Sequence, residues 1–175
     1  MKKKLKLICL VSIFLFAGKN LHAQSEEQHV RMMTGIGFGL DYGGLGMKME
    51  YLPIKHFGVF GGLGYNLSSL GWNVGATIKM LPDKKISPNL MAFYGYNGVI
   101  KVEGYYGTVS YGVTLGANFD IAIGSTGHKI SVGVFAPIRS NEFMDEYNDM
   151  KNNSYFSVKN ELLPIAISIG FNYKY

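Results

Sequence analysis

The sequence predicts an all-β protein, an eight-stranded antiparallel up-and-down transmembrane β-barrel over residues 24–175, behind an export signal at residues 1–23. Three observations carry this expectation. Apolar residues alternate with small or polar ones along most of the chain, as they do in strands whose successive side chains point to opposite faces. Glycine makes up 23 of 175 residues, and an interior glycine costs a helix about 1 kcal/mol relative to alanine. The last segment puts Leu163, Ile165, Ile167, Ile169, Phe171, Tyr173 and Tyr175 on one face, with Pro164, Ala166, Ser168, Gly170, Asn172 and Lys174 on the other.

The N-terminus reads as a secretory signal. Lys2, Lys3, Lys4 and Lys6 precede the apolar run Leu5 to Ala17, and Leu21-His22-Ala23 stands before Gln24, so cleavage is expected after Ala23. The run is too short for the ~20 residues a bilayer-spanning helix needs. The chain has 17 basic and 12 acidic residues, but five lysines (2, 3, 4, 6 and 19) leave with the signal. The remaining twelve basic and twelve acidic residues balance, which removes the basic face a nucleic-acid partner requires. Cys9 leaves too, and with it any disulfide or cysteine-metal chemistry.

The strands follow in order. Met32, Thr34, Ile36, Phe38, Leu40 and Tyr42 alternate with Met33, Gly35, Gly37, Gly39 and Asp41. Gly43-Gly44 signals a hairpin, and Leu45, Met47, Met49 and Tyr51 return against Gly46, Lys48 and Glu50. A turn at 52–56 leads to Phe57, Val59, Leu63, Tyr65 and Leu67. Ser68 to Gly71 turns into Trp72, Val74, Ala76, Ile78 and Met80, and Leu81 to Pro88 is the next turn. Residues 89–102 are the least regular strand, with Met91 and Phe93 opposite the main apolar face. Tyr111 to Ile121 and Ile130 to Ala136 are the sixth and seventh strands, around a turn at Gly124 to Lys129. A long polar connection, 138–161, precedes the last strand.

Periodicity does not say which face is inside. The polar face is mostly Gly, Ala, Ser, Asn and Thr, whereas a water-facing exterior carries large charged side chains. Rows such as Gly35-Gly37-Gly39 suit a crowded interior. Tyr51, Phe57, Phe119, Phe171, Tyr173 and Tyr175 fall near one set of strand ends, and Tyr42, Tyr65, Trp72 and Tyr111 near the other. Membrane barrels carry such girdles at both interfaces. The apolar face is therefore expected to meet lipid, and a soluble barrel with the opposite orientation is the alternative.

The terminal Ile165-x-Ile167-x-Ile169-x-Phe171-x-Tyr173-x-Tyr175 resembles the C-terminal signal by which the outer-membrane barrel assembly machinery recognises its clients. Over 24–175 the chain resembles small OmpA/OmpX-type outer-membrane barrels, including Bacteroidetes-like members, to which the Leu21-His22-Ala23-Gln24 ending adds a weaker likeness. That family usually ends in Phe, and this chain ends in Tyr175. The resemblance implies an integral outer-membrane protein in contact with its lipids; it leaves activity open, because the family holds structural proteins, adhesins, pores and lipid-modifying enzymes.

With lipid outside, the lumen is expected to receive Arg31, Asp41, Lys48, Glu50, Lys79, Lys101, Glu103, Asp120 and Lys174. An eight-stranded barrel is just wide enough for side chains to fill, and buried charges must pair, so a charge network plugging the lumen is expected ahead of a glycine-lined pore. His29, His56 and His128 all fall at the periplasmic end. An enzyme acting on outer-leaflet lipid would lack an external histidine for general base work. No catalytic residue, metal site or cofactor is expected. Glu142, Asp145, Glu146 and Asp149 cluster in 138–161 without calcium-loop spacing, and Phe143, Met144, Tyr147 and Met150 have the spacing of a short amphipathic helix. The function expected is non-enzymatic and monomeric: a structural or surface-interaction role through 138–161, with a passive channel and a lipid-modifying enzyme as alternatives.

Overall fold

The computed structural model describes residues 32–66, 68–100, 108–124, 127–152 and 162–174. The expected signal, His29, Arg31, Lys101, Glu103 and Tyr175 lie outside them. Eight antiparallel strands, β1 (Met32–Gly39), β2 (Gly44–Ile54), β3 (Phe57–Tyr65), β4 (Leu70–Lys79), β5 (Ile86–Ile100), β6 (Thr108–Ile123), β7 (His128–Pro137) and β8 (Ala166–Lys174), follow one another around a closed barrel. Closure comes from β1 pairing with β8, from Met33 opposite Lys174 to Phe38 opposite Ile169, so the sheet has no open edge. A helix, α1 (Asn141–Asn152), stands between β7 and β8.

The two-residue period sets which side chains face out. Ile36, Met47, Leu63, Val74, Leu90, Leu115, Val134 and Ile167 are all exposed on the outer wall. Inward positions hold glycine, asparagine, serine, threonine and a few charges, with Phe60, Met91, Phe93 and Phe135 among them. Tyr51, Phe57, Phe119, Phe171 and Tyr173 ring the outer wall near the end where β1 starts and β8 stops. Tyr65, Trp72 and Tyr111 ring the other, where Trp72 lies 5.8 Å from Tyr111 and 6.3 Å from Tyr94, centroid to centroid.

Several strand bounds differ from the expected ones, and β2, β4 and β6 each run into a stretch expected to turn or connect. β1 stops at Gly39, and Leu40–Tyr42 form one 3-10 turn buried inside the barrel. Tyr42, expected in an aromatic girdle, is 0% exposed. The alternation of Leu40 and Tyr42 with Asp41 misled because an inward-folded turn buries all three. β5 starts at Ile86, inside the expected turn, and β7 starts at His128, so Lys129 belongs to a strand. β8 begins at Ala166, leaving Leu163 and Ile165 before it.

Candidate functional site

The lumen is built from the inward residues of the strands and the turn that enters it. Gly43, with φ of 72°, closes the turn by donating its backbone N–H to the Leu40 carbonyl at 2.9 Å; this left-handed backbone favours glycine. Room for the turn comes from glycines on the surrounding walls. A Cβ at Gly170 would stand 2.1 Å from Tyr42 Oη, and one at Gly37 would stand 2.8 Å from the Tyr42 ring. Gly62 and Gly64 would meet the backbone of Asp41 and Tyr42 in the same way. The glycine rows therefore hold a plug made by the chain itself.

Ion pairs fix that plug. Lys48 on β2 reaches Asp41 at 2.5 Å, with its ammonium 4.4 Å from the centre of the Tyr42 ring. Below, Lys79 on β4 lies 2.8 Å from Glu50 and 3.2 Å from Asp120. Asp120 also faces Lys129 at 3.9 Å and accepts from the Ser131 hydroxyl. A chain of hydrogen bonds extends around the wall. Ser87 donates to Asn89 at 3.1 Å, Asn89 to Asn118 at 2.7 Å, and Asn118 to Asp120 at 3.4 Å. Asn172 donates to Ser131 at 2.6 Å and accepts from the Tyr42 hydroxyl at 3.3 Å. Asn73 donates to the Leu40 carbonyl. The network joins β2, β4, β5, β6, β7, β8 and the plug.

Of the charges expected in the lumen, Asp41, Lys48, Glu50, Lys79 and Asp120 meet in these pairs. Lys174 is half-buried at the mouth near the chain ends. The sequence pattern puts Lys129 in a turn, although Ile130 and Val132 on the outer face place 129 and 131 inward.

The other half of the lumen is apolar. Leu40, Phe60, Met91, Phe93, Tyr96, Val99 and Phe135 form one buried cluster. Phe93 packs edge-on against Phe60 at 5.7 Å and Phe135 at 5.2 Å, a favoured aromatic geometry. Met91 and Phe93, irregular in the sequence pattern, are the middle of this cap.

Above the cap, β5 and β6 extend to Ile100 and Thr108 and carry α1 against them. Ser140 caps the helix, its hydroxyl accepting from the Phe143 N–H at 3.3 Å. Phe143 and Tyr147, four residues apart on one face, bury against Ile100, with Met144, Met150 and Leu162 around them; each aromatic burial contributes about 1.5–3 kcal/mol. Thr108 donates to Glu146 at 3.0 Å. Arg139 donates to the carbonyls of Leu163 at 2.8 Å and Asn97 at 3.3 Å, while Asn97 at a β5 bulge donates to Ile138 at 2.9 Å. Burial draws the Arg139 guanidinium below its ordinary value, with Tyr96 and Tyr147 opposing the shift. Glu142, Asp145, Asn148 and Asp149 stay exposed on the far face of α1.

His56 and His128 stand at the end of the barrel nearest the chain ends, His56 Nδ1 2.9 Å from the Lys79 carbonyl and His128 stacked 4.3 Å from Tyr173. Among the described residues no three His, Cys, Asp or Glu side chains are grouped to hold a metal ion. The class defined by this fold is a small closed up-and-down β-barrel with a self-plugged lumen. Comparisons with protein-family models, curated proteins and solved structures find no match to the chain.

Proposed function

We propose that this chain is a non-enzymatic, monomeric outer-membrane barrel whose lumen is closed and whose surface role lies in the 138–161 connection and α1. The observation that carries this reading is the polarity of the wall. Thirty-seven large hydrophobic side chains of the described residues are exposed, and most form a continuous belt, whereas the lumen is where charge is paired. Soluble monomers rarely expose contiguous apolar patches beyond a few hundred Å². The aromatic rings at both strand ends support the same orientation.

The expected export signal brings the chain to the periplasm, and Ile167, Ile169, Phe171, Tyr173 and Tyr175 serve as the C-terminal signal for the barrel assembly machinery. The chain-end mouth then faces the periplasm, and α1 presents its acidic face outside. Closure of β1 on β8 favours a monomer, because no strand edge is left to recruit a second copy. A passive channel is disfavoured by the plug and the phenylalanine cap, which occupy the lumen in series.

Cell fractionation combined with electrophoresis in SDS, before and after boiling, tests the reading. It requires the protein in the outer-membrane fraction, with an apparent mass that changes on heating. Recovery in the soluble periplasmic fraction without a heat-dependent shift would overturn it.

A further inference from the structure

The mouth nearest the chain ends opens into a cavity of about 820 Å³, within the size range of small-molecule sites. Its lining includes Lys55 from the β2–β3 turn, Lys84 and Lys85 from the β4–β5 turn, and Lys79, Lys129 and Lys174 from strands β4, β7 and β8. Five separate elements thus bring six ammonium groups to one concavity.

The acids do not balance them. Among the described residues Asp83 is the one acid lining the cavity; it lies 3.8 Å from Lys55, and its side chain is 74% exposed. At the floor, Glu50 and Asp120 compensate Lys79, and Asp120 also faces Lys129. Among the described residues, three carboxylates against the six lysines leave three positive charges. Among the described residues, Lys84, Lys85 and Lys174 have no acidic side chain within ion-pair distance. The floor is built rather than incidental: the Lys79 side chain is 3% exposed and held by two carboxylates.

We infer that this mouth binds a phosphate-bearing anion. Each lysine offers three rotatable donors on a compact charge, without the planar fork with which arginine matches a carboxylate. Several such charges converging from different directions suit a tetrahedral, multiply charged group, and lysine is an established phosphate binder in that mode. The volume exceeds what one inorganic phosphate fills and leaves room for an organic phosphate. Its source is either a soluble metabolite or the headgroup of an anionic lipid at the barrel rim. The site needs only the barrel fold, so its failure would leave the membrane reading untouched.

The test uses the full chain without its signal, folded in maltoside micelles, which carry no phosphate. Inorganic pyrophosphate, titrated calorimetrically, is expected to bind with a sub-millimolar Kd. Lys84→Ala/Lys85→Ala/Lys174→Ala should weaken it at least tenfold, whereas Lys151→Ala in α1 should leave it unchanged. Absence of wild-type binding at several millimolar, or equal binding by the triple variant, would overturn the inference. If the triple variant loses its heat-dependent mobility, Lys84→Gln/Lys85→Gln, confined to an exposed turn, must still weaken binding at least threefold. Competition separates the sources: displacement by phosphatidylglycerol in the micelle but not by glycerol 3-phosphate supports a headgroup, and the reverse supports a soluble ligand.

Discussion

Replacing Lys79 with methionine removes the cation that two buried carboxylates share. Its Nζ lies 2.8 Å from Glu50 and 3.2 Å from Asp120, and the side chain is 3% exposed. Methionine keeps most of the stem volume, so the loss is electrostatic rather than a cavity. Asp120 retains Lys129 at 3.9 Å and its bonds from Ser131 and Asn118. Glu50 retains no ion pair among the described residues. Breaking a buried pair by deleting one partner costs about 3–5 kcal/mol, and the upper half of that range applies here because one cation serves two acids. With a urea dependence of about 2–3 kcal/mol per molar, the midpoint of unfolding should fall by roughly 1.3–2.5 M. Trp72 is the single tryptophan, so its fluorescence reports the transition in micelles without labelling. Lys79→Met/Glu50→Gln should recover at least half of the loss, since it removes the stranded charge. A single-variant loss under about 1 kcal/mol, or a double variant no better than the single, would refute the idea that the lumen is held by paired charge.

Other outcomes follow from the same geometry. Tyr42→Phe should cost about 1 kcal/mol for the bond to Asn172, whereas Tyr42→Ala should cost about 3–5 kcal/mol and raise the ion conductance of planar bilayers; unchanged stability would remove the plug from the account. Gly170→Ala should destabilise the barrel because its Cβ would stand 2.1 Å from the Tyr42 hydroxyl, and Tyr42→Phe in the same chain should relieve part of that loss in urea unfolding. Phe143→Ala should release α1 and make 138–161 sensitive to added protease while heat-dependent mobility persists. Ile167→Arg, on the outer wall at 65% exposure, should cost about 2–4 kcal/mol in a bilayer if the position is near the midplane, and should be harmless if that wall faces water.

The strands were legible because the period of two survives wherever one wall is apolar. β8 shows it from Ala166 to Lys174, and β4 from Trp72 to Ile78. α1 was legible too, since Phe143 and Tyr147 repeat at helical spacing. The plug was not, because Leu40 and Tyr42 continue the strand alternation while turning inward. The glycines opposite Tyr42 signal lumen space in the sequence, but whether that space stays empty is decided by the tertiary fold. The apolar cap was equally hidden: Phe60 and Phe135 come from strands far apart in sequence, and they meet Phe93 only once the barrel closes. Which charges pair depends on stagger across several strands, as with Lys79 and Asp120, 41 residues apart. A larger side chain at Gly37 would collide with the Tyr42 ring before it narrowed any channel.

The central claim is that the apolar wall faces hydrocarbon. Cys9 is the only cysteine and falls in the expected signal, so single cysteines at Val74, Leu115 and Ile167 can carry nitroxide labels on the processed chain without background. With the protein reconstituted in vesicles, the account predicts labels that relax readily with lipid-soluble oxygen and are shielded from a water-soluble nickel chelate. Free access of the chelate to all three positions would contradict it and turn the barrel into a soluble one.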